Sequence, residues 1–203
     1  MTARAAGDLV VLREDEPQVA ALRADGWSVV GTSWGARLTV AEKVTVDALR
    51  AAVDAAEAAG WTVARLGPLD APAVVQVDRE SLDDYPADAV ATYHAVPDER
   101  ELARALAGDW RAYGARQPDG TLGAVTVMRP DEDRIETEFT VTRAAVRRRG
   151  LASAVKAFGI LDHVGAGHLT FGTGGHAANT ASIRVNERLG YVLEPRWLTL
   201  RRP

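Results

Sequence analysis

From residue 61 onward the apolar positions switch repeatedly between a period of two and a period near 3.6, which marks out alternating strands and helices. Residues 61–66 read as a strand and 71–82 as a helix. A second helix is expected at 98–107, opened by acidic residues suited to its positive end. Residues 110–116 and 122–128 flank Gln117, Pro118, Asp119, Gly120 and Thr121, whose Pro and Asp-Gly supply hairpin turn geometry. A strand rich in β-branched residues follows at 137–142. Over 150–164, Leu151, Ala154, Val155, Phe158 and Leu161 recur at helical spacing, and Gly165 stands where a C-terminal cap belongs. Residues 169–173 read as a short strand. Asn179 or Thr180 can cap a helix running to Leu189, Gly190 can close it, and strands are expected at 191–193 and 197–200.

Residues 1–60 add a layer before this alternation. Segments 7–12, 17–24 and 27–40 read as strand, helix and strand-turn-strand, followed by an Ala-rich helix at 46–59. The run from Ala24 to Leu38 is similar to the run from Arg188 to Leu200: helix end, Gly, aromatic, hairpin. It reads either as a degenerate partial repeat or as the ordinary chemistry of any helix-to-hairpin junction. The expected organisation is therefore an N-terminal α/β extension at 1–60 and a mixed domain at 61–203.

Composition narrows the functional classes. With 203 residues, 47% of them hydrophobic, the chain can bury a real core. No apolar run approaches membrane-spanning length, and acidic residues interrupt the start before a signal-type stretch forms, so a cytoplasmic location without membrane association is expected. The absence of cysteine excludes disulfides and thiolate chemistry, and four isolated histidines give no metal-ligand spacing, so no metal is expected. A net charge of −4 disfavours a nucleic-acid-coating surface, though a local basic patch can still hold a phosphorylated ligand.

One such patch exists at the end of the 137–142 strand. Arg147, Arg148 and Arg149 lead through Gly150 into the next helix, and cations at a helix N-terminus are unfavourable by roughly 0.3–1 kcal/mol each. An anion offsets that cost. The free N–H groups of the first turn, a glycine that admits close approach and flanking guanidiniums make a pyrophosphate-sized site. A solvated arginine run beside a packing glycine is the plainer alternative.

Arg147-Arg148-Arg149-Gly150-Leu151-Ala152 resembles the R/Q-x-x-G-x-G/A segment by which GCN5-related N-acetyltransferases hold the coenzyme A pyrophosphate. A second block, Asn179 through Asn186 to Gly190-Tyr191, resembles the helix that follows it in that family, about 30 residues on. The resemblance covers residues 61–203 and leaves out the first 60. It implies an α/β (α+β) fold with a mixed, mostly antiparallel sheet, splayed central strands and flanking helices. It also implies acetyl-CoA as donor, bound by Thr140, Val141, Thr142, Arg147, Arg148, Arg149, Gly150, Leu151, Ala152, Asn179 and Asn186. The implied reaction is direct attack of a small-molecule amine on the thioester. Glu138 or Glu136 would be the base, Glu138 being nearer the expected acetyl position. Both share strand parity with Thr140 and Thr142, and both read equally as solvated strand-face carboxylates.

Tyr85, Tyr93 and His94 fall where that family meets its acceptor. The neighbouring Asp78, Glu80, Asp83 and Asp84 suit a cationic amine or, equally, a solvated helix face. One departure stands out: Asn186 occupies the place of the tyrosine that many members use to protonate the leaving thiolate, and an amide is no general acid. A catalytically silent acyl-CoA-binding regulatory module is therefore the competing reading, with the extension offering a surface for a partner or a second copy.

Overall fold

The computed structural model describes residues 9–85 and 94–203. In chain order the elements are β1 (Leu9–Arg13), α1 (Pro17–Ala24), β2 (Ser28–Thr39), α2 (Lys43–Ala58), β3 (Thr62–Leu66), α3 (Ala71–Arg79) and α4 (Glu99–Ala107). Then follow β4 (Arg111–Arg116), β5 (Leu122–Asp131), β6 (Arg134–Thr142), α5 (Leu151–Gly165), β7 (Thr170–His176), α6 (Thr180–Arg188), β8 (Val192–Leu193) and β9 (Trp197–Arg201). No helix among the described residues is long and apolar enough to cross a membrane.

Local chemistry accounts for the boundaries. Asp98 caps α4 by accepting from the N–H groups of Arg100 and Glu101, and acidic residues fill the first turn. The turn at 117–121 closes when the Gly120 N–H donates to the Gln117 carbonyl at 2.9 Å and the Thr121 N–H to Asp119 Oδ1 at 2.8 Å. Helix α5 runs through Gly165, and the left-handed residue that ends it is Gly167, with a φ of 93°.

All strands join one sheet in the order β1-β9-β2-β7-β6-β5-β4-β3, with β8 also pairing β2. Every neighbour pair is antiparallel except β6 with β7. Helices α2 and α5 cover one face. There Trp34, Leu38, Leu49, Val53, Tyr113 and Phe171 share a single buried cluster. Helices α3 and α4 cover the other face, over Val125, Val127, Phe139 and Val141.

Two expectations change. Residues 27–40 form no hairpin: β2 is one strand of twelve residues with an irregularity between Val29 and Gly31, because β9 pairs its first half and β7 its second. The division read at residue 60 has no counterpart in the packing either. Strand β2 lies inside the sheet, and Leu49 and Val53 of α2 belong to the same core as α5.

Candidate functional site

The site begins where two strands part. Strands β6 and β7 pair in parallel only at Ile135 with Phe171 and Glu136 with Gly172. Beyond that point each turns to its outer neighbour, β5 for one and β2 for the other. Among the described residues no strand pairs the β7-facing edge of β6 over 137–142, so Thr140, Val141 and Thr142 line an open notch.

The basic segment lies at the end of β6. After Thr142 the chain makes a short 3₁₀ turn at Ala144–Val146, and α5 starts at Leu151. Gly150 precedes the helix with a φ of 79°, and a Cβ placed there would meet nothing within 4 Å. The glycine is therefore required by backbone conformation and leaves open space over the helix start. Arg148 also has a positive φ, 61°, which is unusual for a residue with a Cβ. At the helix start the first-turn N–H groups of Leu151 and Ala152 have no intrahelical acceptor. Arg148 and Arg149 are exposed and have no carboxylate partner among the described residues.

Arg147 and Arg143 are not idle. The Arg147 guanidinium donates to the Thr142 carbonyl at 3.0 Å and forks onto both oxygens of Asp84. Arg143 donates to the Leu122 carbonyl at 2.8 Å and to Glu80. The acidic stretch before Tyr85 thus packs against the basic loop, and an anion that takes the Arg147 fork displaces Asp84.

Glu136 and Glu138 are separated by a feature the strand parity conceals. Thr140 lies opposite Thr126, but Thr137 lies opposite Met128, so β6 carries one extra residue at Glu138. Beyond this bulge the faces exchange. Glu136 shares its face with Phe139, opposite to Thr140 and Thr142, which corrects the shared parity expected from sequence. Glu136 accepts from Arg134 Nε at 2.8 Å and lies over Gly172 in the closed part of the strand pair. Glu138 is exposed and accepts from Arg129 Nε at 2.7 Å.

In the second block Asn179 caps α6, accepting from the Ser182 N–H at 3.0 Å. Asn186 is buried and fully engaged. Its Oδ1 accepts from Lys156 Nζ at 2.6 Å, and its Nδ2 donates to the Ser182 carbonyl at 2.9 Å. Both ends of the Asn186 amide, expected from sequence to contact the cofactor, are thus engaged in an internal network with Lys156 and Ser182. Lys156 also donates to Thr173 Oγ1 at 3.2 Å and lies 5.1 Å from the centre of the Tyr191 ring. Burial brings its pKa down to about 7, against a smaller opposing pull from Glu136. Sequence reading missed this lysine: the helical pattern of α5 flags its apolar stripe, not the polar residue beside it.

On the α3 side of β6 the structure brings Tyr85 and His94 together; Tyr93 lies outside the described residues. The Tyr85 and His94 rings stack with centres 4.4 Å apart, and the His94 ring is 5.3 Å from that of Phe139. His94 Nε2 lies 2.9 and 2.8 Å from the two oxygens of Asp78, which is wholly buried. Burial pushes the Tyr85 hydroxyl up, and the charges of Asp78 and Asp84 push it further. A signal for Asp78 was present in the sequence: with Ala71, Val74 and Val75 it falls at positions one helical face shares, a carboxylate in an apolar stripe.

No protein-family model matches the chain, and comparison of its sequence with curated proteins finds no match. Solved structures do match. A GCN5-related N-acetyltransferase from Sphaerobacter thermophilus superposes with a TM-score of 0.66 at 16% identity, over 98% of this chain and 62% of that one. A tandem GNAT protein from the clavulanic acid biosynthesis pathway gives 0.60 at 17% identity, over 95% of this chain and 62% of that one. The ribosomal-protein-S18-alanine N-acetyltransferase from Escherichia coli gives 0.53 at 16% identity, over 69% of this chain and 91% of that one. The chain thus spans less than two thirds of the length of the first two. Its fold is the GCN5-related N-acetyltransferase fold, a mixed and mostly antiparallel sheet flanked by helices.

Proposed function

We propose that this chain transfers an acetyl group from acetyl-CoA to the amine of a small-molecule acceptor. The observation that carries this reading is the notch between β6 and β7, with the Gly150 loop and the start of α5 at its mouth. The donor set fits an acyl-CoA. The N–H groups of Leu151 and Ala152 and the guanidiniums of Arg147, Arg148 and Arg149 suit a pyrophosphate, and the unpaired edge over 140–142 suits the amides of a pantetheine arm. When bound, acetyl-CoA supplies an activated acyl group. The chain itself supplies positioning, which is worth several kcal/mol in reactions of this kind.

A second reading, a silent acyl-CoA-binding module, is favoured by one observation. Asn186 stands where a proton donor to the leaving thiolate is common in this fold family, and its amide is consumed by Lys156 and Ser182. The two readings share a ligand and differ in turnover. Calorimetric titration of acetyl-CoA, followed by thiol release with a panel of amines, separates them. Binding with release supports the enzyme, and binding without release supports the module. Arg147→Glu combined with Gly150→Glu removes binding while the melting temperature stays within a few degrees; unchanged affinity in that variant sinks the site assignment.

A further inference from the structure

We propose that Asp78 and His94 form the base that deprotonates the acceptor amine, in place of Glu136 or Glu138. The proposal rests on the acetyltransferase reading above and assigns the proton acceptor within it. An amine reaches neutral solution as an ammonium ion, which has no lone pair, so attack on a thioester requires a group that takes one proton first. Both glutamates on β6 are committed to arginines, Glu138 to Arg129 and Glu136 to Arg134. Glu136 is moreover held over Gly172, where the two strands are still paired.

His94 is placed differently. Its ring stacks on Tyr85 and makes a tilted contact with Phe139, on the stretch of β6 whose edge toward β7 is open. Asp78 is wholly buried, and both its oxygens face Nε2. A buried carboxylate needs a donor, so Nε2 carries the hydrogen and the lone pair is left on Nδ1. Among the described residues Nδ1 has no hydrogen-bond partner. The same carboxylate stabilises the imidazolium once Nδ1 takes a proton. A packing role alone would leave a charged group at the bottom of an apolar face without reason, since a leucine at 78 would fill the α3 stripe at lower cost.

Nδ1 accepts one proton from the ammonium, and the freed nitrogen pair forms the bond to the carbonyl carbon. The carbon–sulfur bond breaks with its pair on sulfur, and the second proton lost from nitrogen neutralises the thiolate. The imidazolium returns its proton to solvent. His94 is the catalytic residue, and Asp78 is a positioning residue that acts through it.

The test compares an alkylamine acceptor, protonated at neutral pH, with hydroxylamine, which is largely neutral there and needs no base. In His94→Gln, thiol release with the alkylamine falls by about 100-fold or more while hydroxylamine turnover is kept, and added imidazole restores part of the loss. Acetyl-CoA affinity by calorimetry is unchanged. A readout apart from activity is the ¹⁵N spectrum of the imidazole rings, of which the chain has four. The signal missing from His94→Gln carries its hydrogen on Nε2 in the parent, and Asp78→Asn shifts it. Equal loss with both acceptors, no loss with either, or a hydrogen on Nδ1 overturns the proposal. If the parent protein binds no acetyl-CoA, or binds it and turns over neither acceptor, the acetyltransferase reading itself falls, and the calorimetry tells these cases apart.

Discussion

Replacing Lys156 by methionine turns the buried amine of α5 into a measurable quantity. Methionine keeps an unbranched chain of similar length, so the packing between α5 and β7 is preserved. Two effects then oppose each other. The variant loses the donor to Asn186 Oδ1 and Thr173 Oγ1, which costs about 1–3 kcal/mol at every pH. It also loses the penalty of keeping an ammonium away from water. The folded pKa of about 7 lies below the ordinary value of 10.5, so between these limits the unfolded chain holds a proton that the native chain does not. Stability of the parent therefore rises with pH across this window. The penalty is fully present below the folded pKa and gone above the unfolded one.

At 1.36 kcal/mol per unit, the difference in unfolding free energy between parent and Lys156→Met should rise by about 4 kcal/mol from about pH 6 to about pH 10. Combined with the lost hydrogen bonds, the variant should be the more stable protein at the acid end and the less stable one at the alkaline end. Urea titrations of both proteins at three pH values provide the numbers, and subtracting the two curves removes every group they share. A difference that stays flat across the window refutes the assignment, because it means that the amine titrates alike in both states.

The remaining expectations concern the loop, the strand pair and the sheet. Asp84→Asn frees the Arg147 fork; since that ion pair is half exposed, acetyl-CoA affinity by calorimetry should rise by no more than about fivefold. Gly172→Ala should lower stability in chemical denaturation by no more than about 1 kcal/mol: its Cβ would stand 2.1 Å from Glu136 Oε2 and 2.8 Å from Arg134 Nε, but both are far ends of flexible, partly exposed side chains that can shift. Deleting residues 1–40 removes β1, α1 and β2 and with them Trp34 and Leu38 of the main core, so the remainder should show no cooperative thermal transition.

What was legible in the sequence is what short-range physics decides. Helical spacing located α3, α5 and α6, and turn chemistry located the hairpin between β4 and β5, because each depends on residues a few positions apart. The basic loop was legible for the same reason: strand, arginines, glycine and helix start are contiguous. The failures share a different cause. Gly31 and Gly35 look like punctuation, yet β2 runs straight through both. A Cβ on Gly35 would stand 3.1 Å from Glu194 Oε2, and one on Gly31 would touch Thr199 at 3.5 Å. Those glycines admit side chains that follow some 160 residues later, which no local pattern reports. The bulge at Glu138 is likewise fixed by pairing with β5, and it reversed the face of Glu136. Lys156 and Asn186 are 30 positions apart, and only tertiary structure joins them.

The similarity of residues 24–38 to 188–200, readable as a degenerate repeat or as an ordinary helix-to-hairpin junction, has a topological setting. Trp27 and Tyr191 do close the preceding helices alike, their N–H groups reaching back to Leu22 and Asn186, both at 3.0 Å. Trp61 does the same with Ala56 at 3.1 Å, so the cap alone distinguishes nothing. Parallel β1 and β2, joined by α1, enclose β9, while parallel β7 and β8, joined by α6, enclose the second half of β2. Each unit lends its last stretch to the other. The exchange bears directly on the candidate site. Strand β7 is tied to β2 along its whole length, from Thr170 to His176, just as β6 is tied to β5 from Arg134 to Thr142. Both walls of the notch are therefore braced from outside, so its opening is held by the sheet itself and the edge at 137–142 is preorganised rather than paid for on binding.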